Sequence, residues 1–336
     1  MGFLITKNPA ALALATFGDY RFGDLYRFAQ IERFRPPAPL PRGKHDNEDS
    51  IDQGKQQPND NDTIFLGDSF GFCDWGATPF HMQLQQRLGT PVFSVYNNNH
   101  GSVWVHPYSL LKLETNQPHI QRIMVFEMAE RSIPSYFANP ITTNETQQMG
   151  AKGVVFGLWQ VIRKFAFEHS EARHEQLLKH GVISSRAIEY WNSAVFDLFR
   201  QMPNEIGAYS TQPPFLFYRE EVDCFHSVHD DQLVATLADN IALLDHRLRD
   251  HFGCTLVFVP IPNKITVYSR YAFDDRYDDF LPHLCFDLKN RGVHTVELVP
   301  LFKQQEDTVY WATDTHWNDL GIGMAVEQTV RRCLDK

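Results

Sequence analysis

From Thr63 onward, short apolar runs alternate with stretches whose apolar residues recur at helical spacing. That alternation predicts β–α units feeding a mainly parallel sheet. Strands are expected over Thr63–Leu66, Val92–Tyr96, Ile123–Glu127, Thr255–Pro260 and His294–Val299. Between the first two, His81–Leu88 has a helical pattern and Gly89 supplies its stop. Asp231–Phe252 carries Leu233, Leu237, Ile241, Leu244 and Leu248 on one helical face and ends at Gly253. Asp278–Asn290, followed by Gly292, repeats the pattern before the last strand. The expected fold is a three-layer α/β/α arrangement around a doubly wound, mainly parallel five-stranded sheet with helical insertions.

Two regions interrupt the regularity. Residues 36–62 open PPAPLP and then run almost without apolar positions, so they read as a flexible polar linker. Before them, residues 1–35 form an N-terminal arm whose Tyr20, Phe22, Leu25, Tyr26, Phe28 and Phe34 are expected to pack on the main body. Residues 63–336 then form one catalytic domain with an insertion at about 140–230. Two features there break the β–α regularity, a helical insertion around Lys152–Arg200 and the segment Pro203–Asp231. Within the former, Val154–Phe167 is amphipathic, which suits core packing, a lid, a partner surface or a contact with a lipid monolayer.

A chain of 336 residues with 43% hydrophobic and 13% aromatic side chains can bury a large core. Its net charge of −10 gives no electrostatic footing for a phosphate backbone, so nucleic acid is not an expected partner. Cys73, Cys224, Cys254, Cys285 and Cys333 are odd in number and lack CxxC spacing, which predicts buried or free thiols. No apolar run is long enough to span a membrane, and Pro9–Phe17 is too short and poorly flanked for a secretory signal. No glycine-rich phosphate loop or dinucleotide fingerprint is present, so no cofactor is implied.

The candidate chemistry sits at the two ends of the sheet-forming region. Gly67-Asp68-Ser69 directly follows the first strand, where a tight turn exposes a hydroxyl at the carboxyl edge of the sheet. A serine hydroxyl needs a base to take its proton, and the base needs an orienting group. The segment YWATDTHWNDLG offers both in Asp314 and His316, which share one face of an extended segment. Taken alone, that pair also fits a capping aspartate beside a surface histidine. Asn318 or Asp319 is placed to cap the final helix.

With these residues in view, the chain resembles the SGNH/GDSL hydrolase superfamily, and within it the alginate O-acetyltransferase-like proteins of bacterial exopolysaccharide machinery. The resemblance places the nucleophile on Ser69 in GDSF and the aspartate-x-histidine-tryptophan block on Asp314, His316 and Trp317. VFEMAERS (Val125–Ser132) resembles that branch's Glu-Arg motif, and FVPIPNKITVY (Phe258–Tyr268) its Pro-x-Pro-x-Lys segment. The pattern departs from ordinary SGNH esterases in its Asp-His spacing of two and in lacking an asparagine after the third strand. It departs from the alginate branch in placing the DTHW block last, as ordinary hydrolases do.

The resemblance implies a Ser69–His316–Asp314 triad that passes an acetyl group through acyl-Ser69. The acceptor would be a polysaccharide hydroxyl in an O-acetyltransferase, or water in an esterase. A non-catalytic glycan-binding assembly subunit is the rival from another class. The implied partners are an acyl donor, a polysaccharide acceptor and a membrane-bound acetyl-transfer protein, in a periplasmic or other extracytoplasmic setting. The Ser69 N–H and the NNNHGS loop, through Gly101 or Asn99, are the candidate oxyanion donors, although the asparagines also suit a turn. Arg131 suits a sugar or carboxylate, or an ion pair with Glu127 or Glu130. Lys264 is expected to be a solvated loop lysine. The CFHSVHDD cluster (Cys224, His226, His229, Asp230, Asp231) fits no metal site, and its aspartates suit a helix N-cap. Trp75, Trp104 and Trp317 would line a glycan cleft if exposed, or fill the core if buried.

Overall fold

The computed structural model describes residues 22–41, 63–73, 78–97, 107–111, 122–140, 182–273 and 277–334. The linker at 42–62, Tyr20, the amphipathic segment Val154–Phe167, Trp75, Trp104, Asn99 and Gly101 lie outside them. In chain order come α1 (Asp24–Ala29), β1 (Thr63–Gly67), α2 (Ser69–Phe72), α3 (Phe80–Leu88), β2 (Val92–Tyr96), β3 (Arg122–Ala129) and α4 (Ile133–Phe137). Then follow α5 (Val182–Phe199), β4 (Ile206–Thr211), β5 (Pro214–Tyr218), α6 (Arg219–His226) and α7 (Asp231–Phe252). The chain closes with β6 (Cys254–Ile261), α8 (Lys264–Tyr268), α9 (Phe280–Asn290), β7 (His294–Thr295), α10 (Val299–Lys303) and α11 (Asp319–Leu334).

These elements fall into two compact units. The larger comprises Pro41–Asn144, Glu220–Trp311 and His316–Lys336. Its five-stranded sheet has the order β2-β1-β3-β6-β7, with every pairing parallel. Alternation along the strands assigns each residue a face. Ile64, Leu66, Met124, Phe126, Leu256 and Phe258 pack with Val234, Leu237, Ile241 and Leu244 of α7 and with Leu284 and Leu288 of α9. On the other face Phe65 meets Phe80 of α3, and α3 packs against α11. The sheet is thus sandwiched between helical layers, as the alternating pattern predicts.

Local signals set most boundaries. Gly89 ends α3 at φ 67° and Gly253 ends α7 at φ 58°, each returning its N–H to the last helical turn. Asp230 caps α7 by accepting the Leu233 N–H at 2.8 Å. Asn318 caps α11 by accepting the Gly321 N–H at 3.1 Å.

Two expectations are corrected, and one segment to which the sequence pattern assigned no elements takes a defined form. The last strand is only His294–Thr295, because Val299 opens α10 with Pro300 in its first turn, and proline cannot donate to a ladder. The segment Pro203–Asp231 is ordered as the antiparallel β4–β5 hairpin followed by α6; Pro213 and Pro214 mask its strand pattern. Lys264 is fully buried at the start of α8 rather than solvated.

The smaller unit comprises Met1–Leu40, Glu145–Arg219 and Ala312–Thr315. Leu25, Ala29, Ile31 and Phe34 form its core with Phe196 of α5, Ile206 of β4 and Leu216 of β5. Phe34 meets Phe196 and Tyr209 edge-on at 5.5 and 5.7 Å. Buried Glu189 of α5 accepts from the Tyr26 hydroxyl and pairs with Arg186 at 2.8 Å. The aromatic residues of the N-terminal arm therefore pack on α5 and the hairpin. None of the five cysteines is in a disulfide, and burial pushes the thiols of Cys254, Cys285 and Cys333 up to about 12.

Two glycines of α11 offer an internally controlled test of packing. A Cβ on Gly321 would lie 2.4 Å from the Val309 carbonyl oxygen, whereas one on Gly323 meets nothing within 4 Å. Gly321→Ala should cost about 1–3 kcal/mol in urea unfolding. Gly323→Ala should gain about 0.5–1 kcal/mol by helix propensity. Equal effects would show that the close approach is relieved at no cost.

Candidate active site

The chain passes from β1 to β2 on one side and then returns to β3 on the other, so the winding reverses between the carboxyl ends of β1 and β3. Open α/β sheets place their ligand crevice at such a point. Here β1 runs directly into Gly67-Asp68-Ser69, and Ser69 is the first residue of α2. Asp68 stitches the two strand ends. One carboxylate oxygen accepts the Phe70 N–H at 2.9 Å and the other accepts the Ala129 N–H at 3.1 Å.

Glu127 of β3 completes the turn from beneath. Its Oε2 accepts the Asp68 N–H at 2.9 Å, and its side chain also takes a backbone hydrogen bond from Gly71. A Cβ on Gly67 would lie 2.5 Å from that oxygen, and one on Gly71 would lie 3.0 Å from it. Both would also strike the Phe65 ring, so neither position accommodates a side chain. Burial, reinforced by the charge of Asp68, pushes the Glu127 carboxyl well above the usual range. The neutral form of Glu127 is thereby favoured beside Asp68. The hydroxyl of Tyr96 is raised by burial first and by these two carboxyls next.

His316 and Trp317 belong to the same unit as Ser69. Trp317 is fully buried; its indole donates to the Phe70 carbonyl at 2.9 Å and its ring stacks on Phe80 at 5.6 Å. The His316 ring lies 5.0 Å from that of Phe70, the residue after Ser69. Pairing between Tyr310 and Trp317, with the Trp311 N–H on the His316 carbonyl at 3.2 Å, fixes the segment's course. Trp317 is thus a core pillar under the histidine rather than a cleft aromatic.

Asp314 lies in the smaller unit, fully buried. Its carboxylate accepts the Asp24 N–H at 2.8 Å, and the Asp24 carboxylate accepts the Thr315 N–H at 2.9 Å and its hydroxyl at 2.6 Å. Gly23, at φ 97°, permits this approach, since a Cβ there would lie 2.3 Å from the Thr313 carbonyl oxygen. The Asp24 and Asp314 carboxylates come within 4.8 Å of one another. Asp24 went unnoticed in the sequence because 290 residues separate it from Asp314 and no motif surrounds it.

Arg131 forms an ion pair at 3.2 Å with buried Glu221 of α6 and lies 5.6 Å over the Phe70 ring. Glu130 is a buried bracket: it accepts the Asn263 N–H at 2.7 Å, the Thr266 hydroxyl at 2.6 Å and the Tyr277 hydroxyl at 2.8 Å. In CFHSVHDD, His229 pairs with Asp278 at 2.8 Å and stacks on Phe280, which gives it a structural role.

Glu127 predicts a pH dependence of stability. A carboxyl whose folded pKa is raised contributes stability below its unfolded pKa and loses it as pH rises through the folded pKa. Glu130 and Asp245 are raised as well, so they add to the same trend. The denaturation midpoint should fall from the ordinary carboxylate range upward, and Glu127→Gln should flatten that fall. An unchanged slope in the variant would mean that Glu127 is ionised in the folded chain.

A family model described as the SGNH hydrolase-like domain of acetyltransferase AlgX matches residues 210–335. The match includes Asp314, His316 and Trp317 and begins after Ser69, Glu127 and Arg131. No curated protein and no solved structure matches the chain. Over residues 210–335 the chain is thus similar to the SGNH hydrolase-like domain of the acetyltransferase AlgX, a similarity that supports the acetyltransferase and esterase class.

Proposed function

We propose that the protein is a serine-dependent O-acetyltransferase that moves an acetyl group through acyl-Ser69 to hydroxyls of a bacterial polysaccharide. The observation that carries this reading is the placement of Ser69 at the reversal point of the sheet, on a turn braced by two carboxyl groups, with the His316 ring against its neighbour Phe70. In the proposed reaction, Ser69 Oγ attacks the acyl carbonyl carbon while His316 takes the hydroxyl proton. Collapse of the tetrahedral species expels the donor's alkoxide, which receives that proton from the imidazolium. A sugar hydroxyl then loses its proton to His316 and attacks the acyl-serine carbon, freeing Ser69. Asp314 is assigned the orientation of the imidazole.

The Ser69 N–H is the first oxyanion donor in this scheme, with Gly101 or Asn99 as candidates for the second. Arg131 supplies a guanidinium for a polar substrate group, held by Glu221. The setting suggested by the resemblance is extracytoplasmic, with an acyl donor and a membrane-bound transfer protein as partners. Among the described residues no helix is long and apolar enough to cross a membrane. An esterase is the second reading, favoured by the chain order of Ser69 before Asp314 and His316, in which water replaces the sugar hydroxyl.

Intact-mass measurement after brief exposure to an activated acetyl ester tests the proposal. The parent should gain one acetyl group at Ser69, and Ser69→Ala should gain none. His316→Gln should slow acylation by at least about a thousandfold. Faster discharge by an oligosaccharide than by water supports transfer, and discharge by water alone supports the esterase. A parent with neither adduct nor ester turnover would overturn both readings.

A further inference from the structure

The smaller unit contains a cleft of about 610 Å³ that the proposed chemistry does not use, lined by Arg27, Phe28, Trp191, Asn192, Gln201 and Glu205 among others. Its walls are tied to neighbouring residues. Phe28 stacks on Tyr218 at 6.4 Å, and the Asn192 amide donates to the Ala29 carbonyl at 2.9 Å, which fixes its plane. The floor segment between α5 and β4 is tied down by Arg219, which donates to the carbonyls of Asn204 and Ile206 at 3.0 and 3.2 Å. Trp191, on one wall, is 70% exposed.

Two features of the lining define its ligand. An exposed indole and a half-buried phenyl ring lie among planar amide, guanidinium and carboxylate groups, and among the described residues the charged lining side chains, Arg27 and Glu205, cancel. A pyranose presents an apolar C–H face to an aromatic ring and a rim of hydroxyls to planar hydrogen-bonding groups, so it matches both features. A polyanion or polycation would find no net countercharge, and a purely apolar ligand would strand the polar groups. We propose that this cleft binds a neutral, hydroxyl-rich saccharide. The inference deepens the acyl-transfer reading by naming the glycan class, and its link to catalysis rests on that reading.

Titration calorimetry of the full chain with neutral hexasaccharides, cellohexaose and mannohexaose, tests the assignment, with hexamannuronate as the charged comparator. At least one neutral hexasaccharide should bind the parent and Ser69→Ala equally. Trp191→Ala should weaken that binding about tenfold, through loss of the stacking surface. Gln201→Ala, at an exposed position, should weaken it as well, and unchanged melting temperatures would show that both variants fold. The proposal is overturned if no neutral hexasaccharide binds, if binding ignores both substitutions, or if only hexamannuronate binds. It is equally overturned if Trp191→Ala turns a dimer into a monomer, since a second copy would then cover the face. An acetyl adduct on Ser69 without saccharide binding sinks this inference alone, whereas saccharide binding without an adduct sinks the acyl-transfer reading alone.

Discussion

Two carboxyl groups, Asp68 and Glu127, lie against one turn at the carboxyl edge of the sheet, and the exposure of Ser69 depends on how that crowding is resolved. Two adjacent buried anions would repel and would each lose hydration. The fold eases this by favouring the neutral form of Glu127 and giving Asp68 two backbone donors. Glycine at 67 and 71 is the steric counterpart, because a methyl group at either position would displace the Glu127 carboxyl or the Phe65 ring. The strand ends, the turn and the first turn of α2 therefore form one rigid piece, and Ser69 is carried on it.

Apolar packing helps to place the segment that carries the histidine. Phe70 follows the serine, Trp317 follows the histidine, and the indole both donates to the Phe70 carbonyl and stacks on Phe80. Buried aromatic contacts of this kind combine large surface burial with defined ring geometry. Ser69 and His316 are thus each the neighbour of a ring in the same cluster. The position of the hydroxyl and of the imidazole follows from the packing of α2, α3 and the approach to α11.

The smaller unit solves a different problem. Its core is assembled from the N-terminal arm, α5 and the β4–β5 hairpin, pieces far apart in the chain. Within it Asp24 clamps the segment Ala312–Thr315 through backbone donors and acceptors, so Asp314 is buried with its carboxylate satisfied. A buried carboxylate with such donors is tolerated where an unsatisfied one would not be.

Periodicity and punctuation determined much of this protein from the chain alone. The five strands, α7 with its Asp230 cap and Gly253 stop, and the Asn318 cap were all legible because the hydrophobic period and capping chemistry act within a few residues. Ser69, Asp314 and His316 were legible as residue types suited to one chemistry, in segments whose local structure could be read. Other features were decided only by tertiary structure. The prolines of the hairpin mask its strands, and Lys264 reads as a loop lysine although the fold buries it completely. The Asp24–Asp314, Asp68–Glu127 and Arg131–Glu221 contacts join residues distant in sequence. Such pairings depend on which segments become neighbours after folding, and no local pattern carries that information.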